Sequence, residues 1–80
     1  MSNENDYYPT SDLALASTLH HLGISIEALD REYGGKGHFL FKQSKELERA
    51  KEAFWKRELV VEPVGFMESV KYIKNRIYSQ

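Results

Sequence analysis

The chain has 80 residues, 41% of them hydrophobic, with 11 basic and 12 acidic side chains, a formal net charge of −1 and no cysteine. That length makes one small domain whose core sits near the lower limit of self-sufficiency, where association with another copy is a common supplement. Without cysteine, disulfides and Cys-ligated zinc or iron–sulfur centres are excluded, and near-zero net charge removes any global electrostatic case for nucleic acid.

The N-terminus is polar. Residues 1–8, "MSNENDYY", predict a frayed or disordered segment in which Tyr7 and Tyr8 are the first to touch a core, leaving 9–80 as the single domain. This segment has no basic start and no apolar centre, so it does not resemble a signal peptide. The apolar-rich stretches Leu13 to Leu22 and Leu59 to Met67 are too short and interrupted to span a bilayer, and a cytoplasmic protein is expected.

"PTSDLALASTLHHLG" reads as a capped helix, with Thr10 or Ser11 accepting from first-turn amides and Asp12 favouring the positive end of the dipole. Leu15, Leu19 and Leu22, with Ala16, predict its apolar stripe, and Gly23 its end. In "ISIEALDREY", Ile24, Ile26 and Ala28 alternate with polar residues as in a half-buried strand. "HFLFKQ" repeats the pattern, with Phe39 and Phe41 on one face. The glycine-rich "GGKG" between the two runs predicts a hairpin turn. Leu59 to Val61 reads as either a connector or a short third strand that could cover one hairpin edge.

Ser44 is placed to cap a second helix, "SKELERAKEAFWKREL", with Leu47, Ala50 and Phe54 inward and Glu–Lys pairs outward. Pro63 suits the first turn of a third helix, in which Phe66, Val70, Ile73 and Ile77 form a sustained seam while Lys71, Lys74 and Tyr78 face outward. The order is α-β-β-α-α: an α+β domain, an antiparallel hairpin packed against helices.

The segments "TSDLALASTLHHLG", "GHFLFKQSKELERAKEAFW" and "LVVEPVGFMESVKYIKNRIYS" resemble an uncharacterised family of small bacterial and phage-borne proteins, domain of unknown function 5659. The resemblance runs from about Tyr8 to Ser79. It rests on the Thr-Ser-Asp-Leu helix start, the Phe-x-Phe strand leading into a Ser-capped helix, and the closing "RIYS". It implies a small single-domain protein and carries over no activity, cofactor or catalytic residue.

The residues themselves give little support to chemistry. In "GGKG", Lys36 is followed by Gly37 and His38, with no Ser or Thr placed for magnesium and a strand rather than a helix behind it, unlike a phosphate-binding loop. His20 and His21 are neighbours on a helix, about 100° apart, and no metal-binding histidine spacing exists. No serine sits in a nucleophile elbow. No enzyme activity, metal or cofactor is therefore expected.

Two readings remain. The first is a non-enzymatic interaction or accessory module that self-associates, as a homodimer through the hairpin edge or a helix face, or docks another protein. Trp55 either widens the core or anchors a partner, and the same choice holds for Tyr72 and Tyr78 beside Lys71 and Lys74. The second is a nucleic-acid-binding accessory or regulator using Lys36, Lys42, Lys71, Lys74 and Arg76, which requires those residues to share a face.

Overall fold

The computed structural model describes residues 6–33 and 36–78. In chain order the elements are β1 (Tyr7–Thr10), α1 (Leu13–His21), β2 (Ile26–Tyr33), β3 (Lys36–Lys42), α2 (Lys45–Trp55) and α3 (Pro63–Tyr78). The α+β class and the α-β-β-α-α succession hold, preceded by the strand β1.

The strands form one antiparallel sheet in the order β1-β3-β2. The β2–β3 hairpin is present. Its pairing runs as far as Tyr33 opposite Lys36, with residues 34–35 of the glycine turn outside the described residues. β1 was not expected: Tyr7 and Tyr8, read as frayed, pair with Lys42 and Phe41 instead. Pro9 lacks a ladder donor and is tolerated because β1 lies at the edge. Of the two readings of Leu59 to Val61, the connector holds and the third strand does not. Those residues are irregular, and β1 takes the place beside β3.

Helices cover one face of this sheet. α1 lies between α2 and α3. Lys51 of α2 places its ammonium 3.9 Å from the ring centre of Tyr8 in β1, and Arg31 of β2 donates to the Ile77 carbonyl near the end of α3. The core between the layers contains Leu15, Leu19, Phe39, Phe41, Leu47 and Ile73, all essentially buried. Each such side chain contributes about 1.5–3 kcal/mol by leaving water.

β2 departs from simple alternation. Ile26 opposes Phe41 and Ala28 opposes Leu40, so Glu27 is an extra residue and makes a bulge. The slip turns Ala28 to the open side and brings Leu29 opposite Phe39, so Ile26 and Leu29, not Ala28, pack on the core.

Helix ends obey local rules with two surprises. Asp12, rather than Thr10 or Ser11, caps α1 by accepting from the Leu15 amide at 3.0 Å, while Thr10 Oγ1 accepts from the Asp12 amide. α1 closes in a Schellman turn: the Gly23 amide bonds to His20 O and the Ile24 amide to Leu19 O, with Gly23 at φ +89°. Leu22 leaves the predicted stripe because the helix has ended, and it is 38% exposed. Ser44 caps α2 as expected. α2 stops at Trp55, short of the predicted Leu59. There Arg57 takes φ +61° while the Arg57 and Glu58 amides bond to Phe54 O and Ala53 O, the same closing turn built on a non-glycine residue.

Candidate interaction surface

The candidate residues Lys71, Tyr72, Lys74, Arg76 and Tyr78 all lie on α3, whose position is set at its first turn. Pro63 needs no donor there. Glu62, just before it, receives the Val64 amide at Oε2 (2.8 Å) and the Gly65 amide at Oε1 (2.6 Å). These two bonds, helped by nearby His21, hold the Glu62 carboxyl below its ordinary 4.5. Gly65 allows close approach of α1: a Cβ at that position would lie 2.9 Å from His21 Cε1. The His21 ring then meets Phe66 edge-on at 6.4 Å between centroids.

One turn further along, His20 Nδ1 lies 2.8 Å from Ser69 Oγ, and its ring stacks on Tyr72 at 4.4 Å and 16°. Arg76 Nη1 donates to the Tyr72 hydroxyl at 3.0 Å. Burial, then the charges of His21 and Arg76, hold His20 below its ordinary 6.5. The Ser69 hydroxyl can either donate to a bare Nδ1 or accept from a protonated one, so the contact fits either tautomer of the ring. Ser69 is almost fully buried, so this Ser–His contact stitches α1 to α3 and is closed to a substrate.

With one side of α3 fixed to α1 and the core, the opposite side is left bare. Val64, Met67, Lys71, Lys74 and Tyr78 recur at spacings of three and four along it, joined by Glu68 and Asn75. Val64, Met67 and Tyr78 are 65%, 52% and 79% exposed. Glu68, Lys71 and Lys74 are exposed as well, and none makes an ion pair among the described residues.

Of the residues singled out in the sequence, Lys71, Lys74 and Tyr78 therefore share this face. Tyr72 lies at its margin and Arg76 further round towards α1, the two occupied with each other and with His20. Trp55 is elsewhere. It is exposed at the end of α2, edge-on to Phe54 at 4.8 Å, and borders an open groove with Tyr8 and Arg49, so it does not widen the core. Lys42 is on the far side of the sheet, sharing with Tyr7, Leu40 and Ala28 the face that the helices leave uncovered. Lys36 begins β3, and its side chain falls outside the described residues.

Val64 and Met67 escaped the sequence reading. Their signal was positional: on a helical wheel Val64 falls roughly opposite the Phe66–Ile73–Ile77 seam and Met67 about a quarter turn from it, both off the core-facing stripe.

Compared with known families, residues 5–79 match the one described as Domain of unknown function (DUF5659). The chain belongs to that family. No curated protein matches this DUF5659 chain. No solved structure matches it either. Among the described residues, no group of three His, Cys, Asp or Glu side chains is arranged to hold a metal ion, and no helix is long and apolar enough to cross a membrane.

Proposed function

We propose that this DUF5659 domain is a small non-enzymatic interaction module whose docking surface is the outward face of α3 and whose partner is a protein. The observation that carries this reading is the alignment of Val64, Met67 and Tyr78, each more than half exposed, along one helix face. Apolar side chains grouped in this way gain free energy only when another surface covers them. Lys71, Lys74 and Glu68 among them supply charge that sets orientation and selects partners. Val60, 93% exposed in the segment before α3, adds to the same tendency.

The nucleic-acid reading draws less support. Lys71, Lys74 and Arg76 are together on α3, but Lys42 lies across the sheet on its uncovered face, so these basic residues form no continuous track. The test is affinity capture from the native host, with mass spectrometry and nucleic-acid sequencing of what co-purifies. The wild-type chain should retain protein, and the Val64→Ser/Met67→Ser double variant should lose it while unfolding at the same temperature. Equal capture by both baits, or salt-sensitive retention of nucleic acid alone, would overturn the proposal.

A further inference from the structure

We propose that a hollow in the helical layer is a binding site for an apolar group that carries a carboxylate. The hollow measures about 250 Å³ and lies where α1, the end of α2, the connector 58–62 and the start of α3 meet. Phe66, which lines it, is about 140° round α3 from Lys71, so the site is separate from the outward face and does not depend on docking there.

The connector builds one wall. Leu59 and Val61 are half-buried while Val60 between them is 93% exposed, so two apolar side chains turn inward. They join Phe54 of α2 and Phe66 of α3 around the hollow, and all four stay partly open to water. Apolar surface left open in a concavity gains free energy when an apolar group enters it. Thr18 of α1 also borders the space, nearly fully buried, but its hydroxyl already donates to the Ala14 carbonyl at 2.7 Å. It has no donor left for a guest, so the inserted end of that guest is apolar. An apolar cavity of about 150 Å³ holds benzene. The 250 Å³ here takes one ring or a branched aliphatic chain and little more.

Among the described residues lining the hollow, Arg57 alone is charged. Its backbone sits at φ +61°, where glycine would be less costly, so the position keeps a side chain that glycine would give up. That side chain makes no hydrogen bond or ion pair among the described residues. A guanidinium beside an apolar hollow suits a guest that ends in a carboxylate, which it can grip with two parallel bonds. A single negative charge fits better than a phosphate dianion, because Glu58 and Glu62 stand at the two ends of the connector. Two sources supply this chemistry: a free apolar carboxylic acid, and an apolar residue at the C-terminal end of another polypeptide.

The test is titration of the isotope-labelled chain with phenylacetate at pH 7, read from amide NMR shifts. Binding should saturate with a Kd of about 1 mM, with shifts centred on the residues lining the hollow. Phenylacetamide keeps the ring and loses the charge, and it should bind about fivefold more weakly or worse. Arg57→Gln should weaken phenylacetate by the same factor and erase the preference for acid over amide, while Arg57→Lys restores part of it. Val61→Phe fills the hollow from the connector and should abolish binding of both compounds. Arg57 is exposed and Val61 half-buried, so an unchanged Tm shows that each variant is folded.

The tripeptide Gly-Gly-Phe with a free carboxylate separates the two sources. Binding about tenfold tighter than phenylacetate identifies a chain terminus as the guest, and equal or weaker binding identifies a free acid. No saturable shift up to about 20 mM phenylacetate, equal affinity for the amide, or shifts centred away from the hollow would overturn the proposal.

Discussion

The ends of α1 and α2 make a matched pair of opposite predictions. Both helices close with the same Schellman turn, and both place the residue after the cap at positive φ: Gly23 at +89° and Arg57 at +61°. A residue with a Cβ in the left-handed region costs roughly 1–2 kcal/mol, from which about 0.4–1 kcal/mol is recovered because the unfolded chain is stiffer than with glycine. At Gly23 the added Cβ would meet nothing within 4 Å, so Gly23→Ala isolates the backbone cost. The net loss should be about 1 kcal/mol, or about 4–8 °C in Tm for a domain of this size. Arg57→Gly reverses the sign. Its gain should be smaller, about 0.5 kcal/mol, because Arg57 borders an apolar hollow with Phe54, Leu59, Val61 and Phe66, and its stem contacts are lost. Thermal and urea unfolding with unchanged m-values measure both. If Gly23→Ala left stability untouched, or Arg57→Gly lowered it by 1 kcal/mol or more, the left-handed turn would not be what ends these helices.

Two further predictions concern buried polar and titratable groups. Ser17 is fully buried and its hydroxyl has no hydrogen-bond partner among the described residues, so Ser17→Ala should stabilise the fold by about 1 kcal/mol in urea unfolding, and a loss would reveal an unrecognised bond. Stability should also fall on acidification. His20 titrates below 6.5 when folded, with Ser69, Tyr72, Arg76 and His21 around it. As pH drops beneath 6.5 the unfolded chain therefore binds the proton first, and stability is lost down through the lowered folded value. The low folded pKa of Glu62 adds stability above 4.5, which disappears as pH falls further. A pH series of Tm should show the first decline in the wild type and lack it in His20→Asn; identical profiles would remove His20 from the account.

What the sequence showed and what it hid follow from the range of each interaction. Caps, the glycine stop after α1, Pro63 and the Phe39/Phe41 alternation are local signals, and they placed the hairpin and three helices. β1 was hidden because four residues carry too little periodicity, and only pairing with β3 distinguishes Tyr7 and Tyr8 from a frayed end. The Glu27 bulge has no sequence mark. It is set by packing Leu29 over Phe39, and it reversed the predicted facing of Ala28. Arg57 concealed the end of α2 because the usual glycine is missing there. The candidate surface was half legible: Lys71, Lys74 and Tyr78 were read as outward. The exposure of Val64 and Met67 appears only once α1 is seen to occupy the other side of α3 through His20, His21, Ser69 and Tyr72.

The absence of cysteine allows the central claim to be tested at a single position. Lys71→Cys places one thiol in the middle of the proposed docking face of α3. In extract of the native host, a thiol-to-amine cross-linker carried on this variant should join it to a protein that the same reagent carried on Ala28→Cys, on the open sheet face, does not reach, and excess wild-type chain should prevent the joining. Equal cross-linking from both positions would contradict docking through α3.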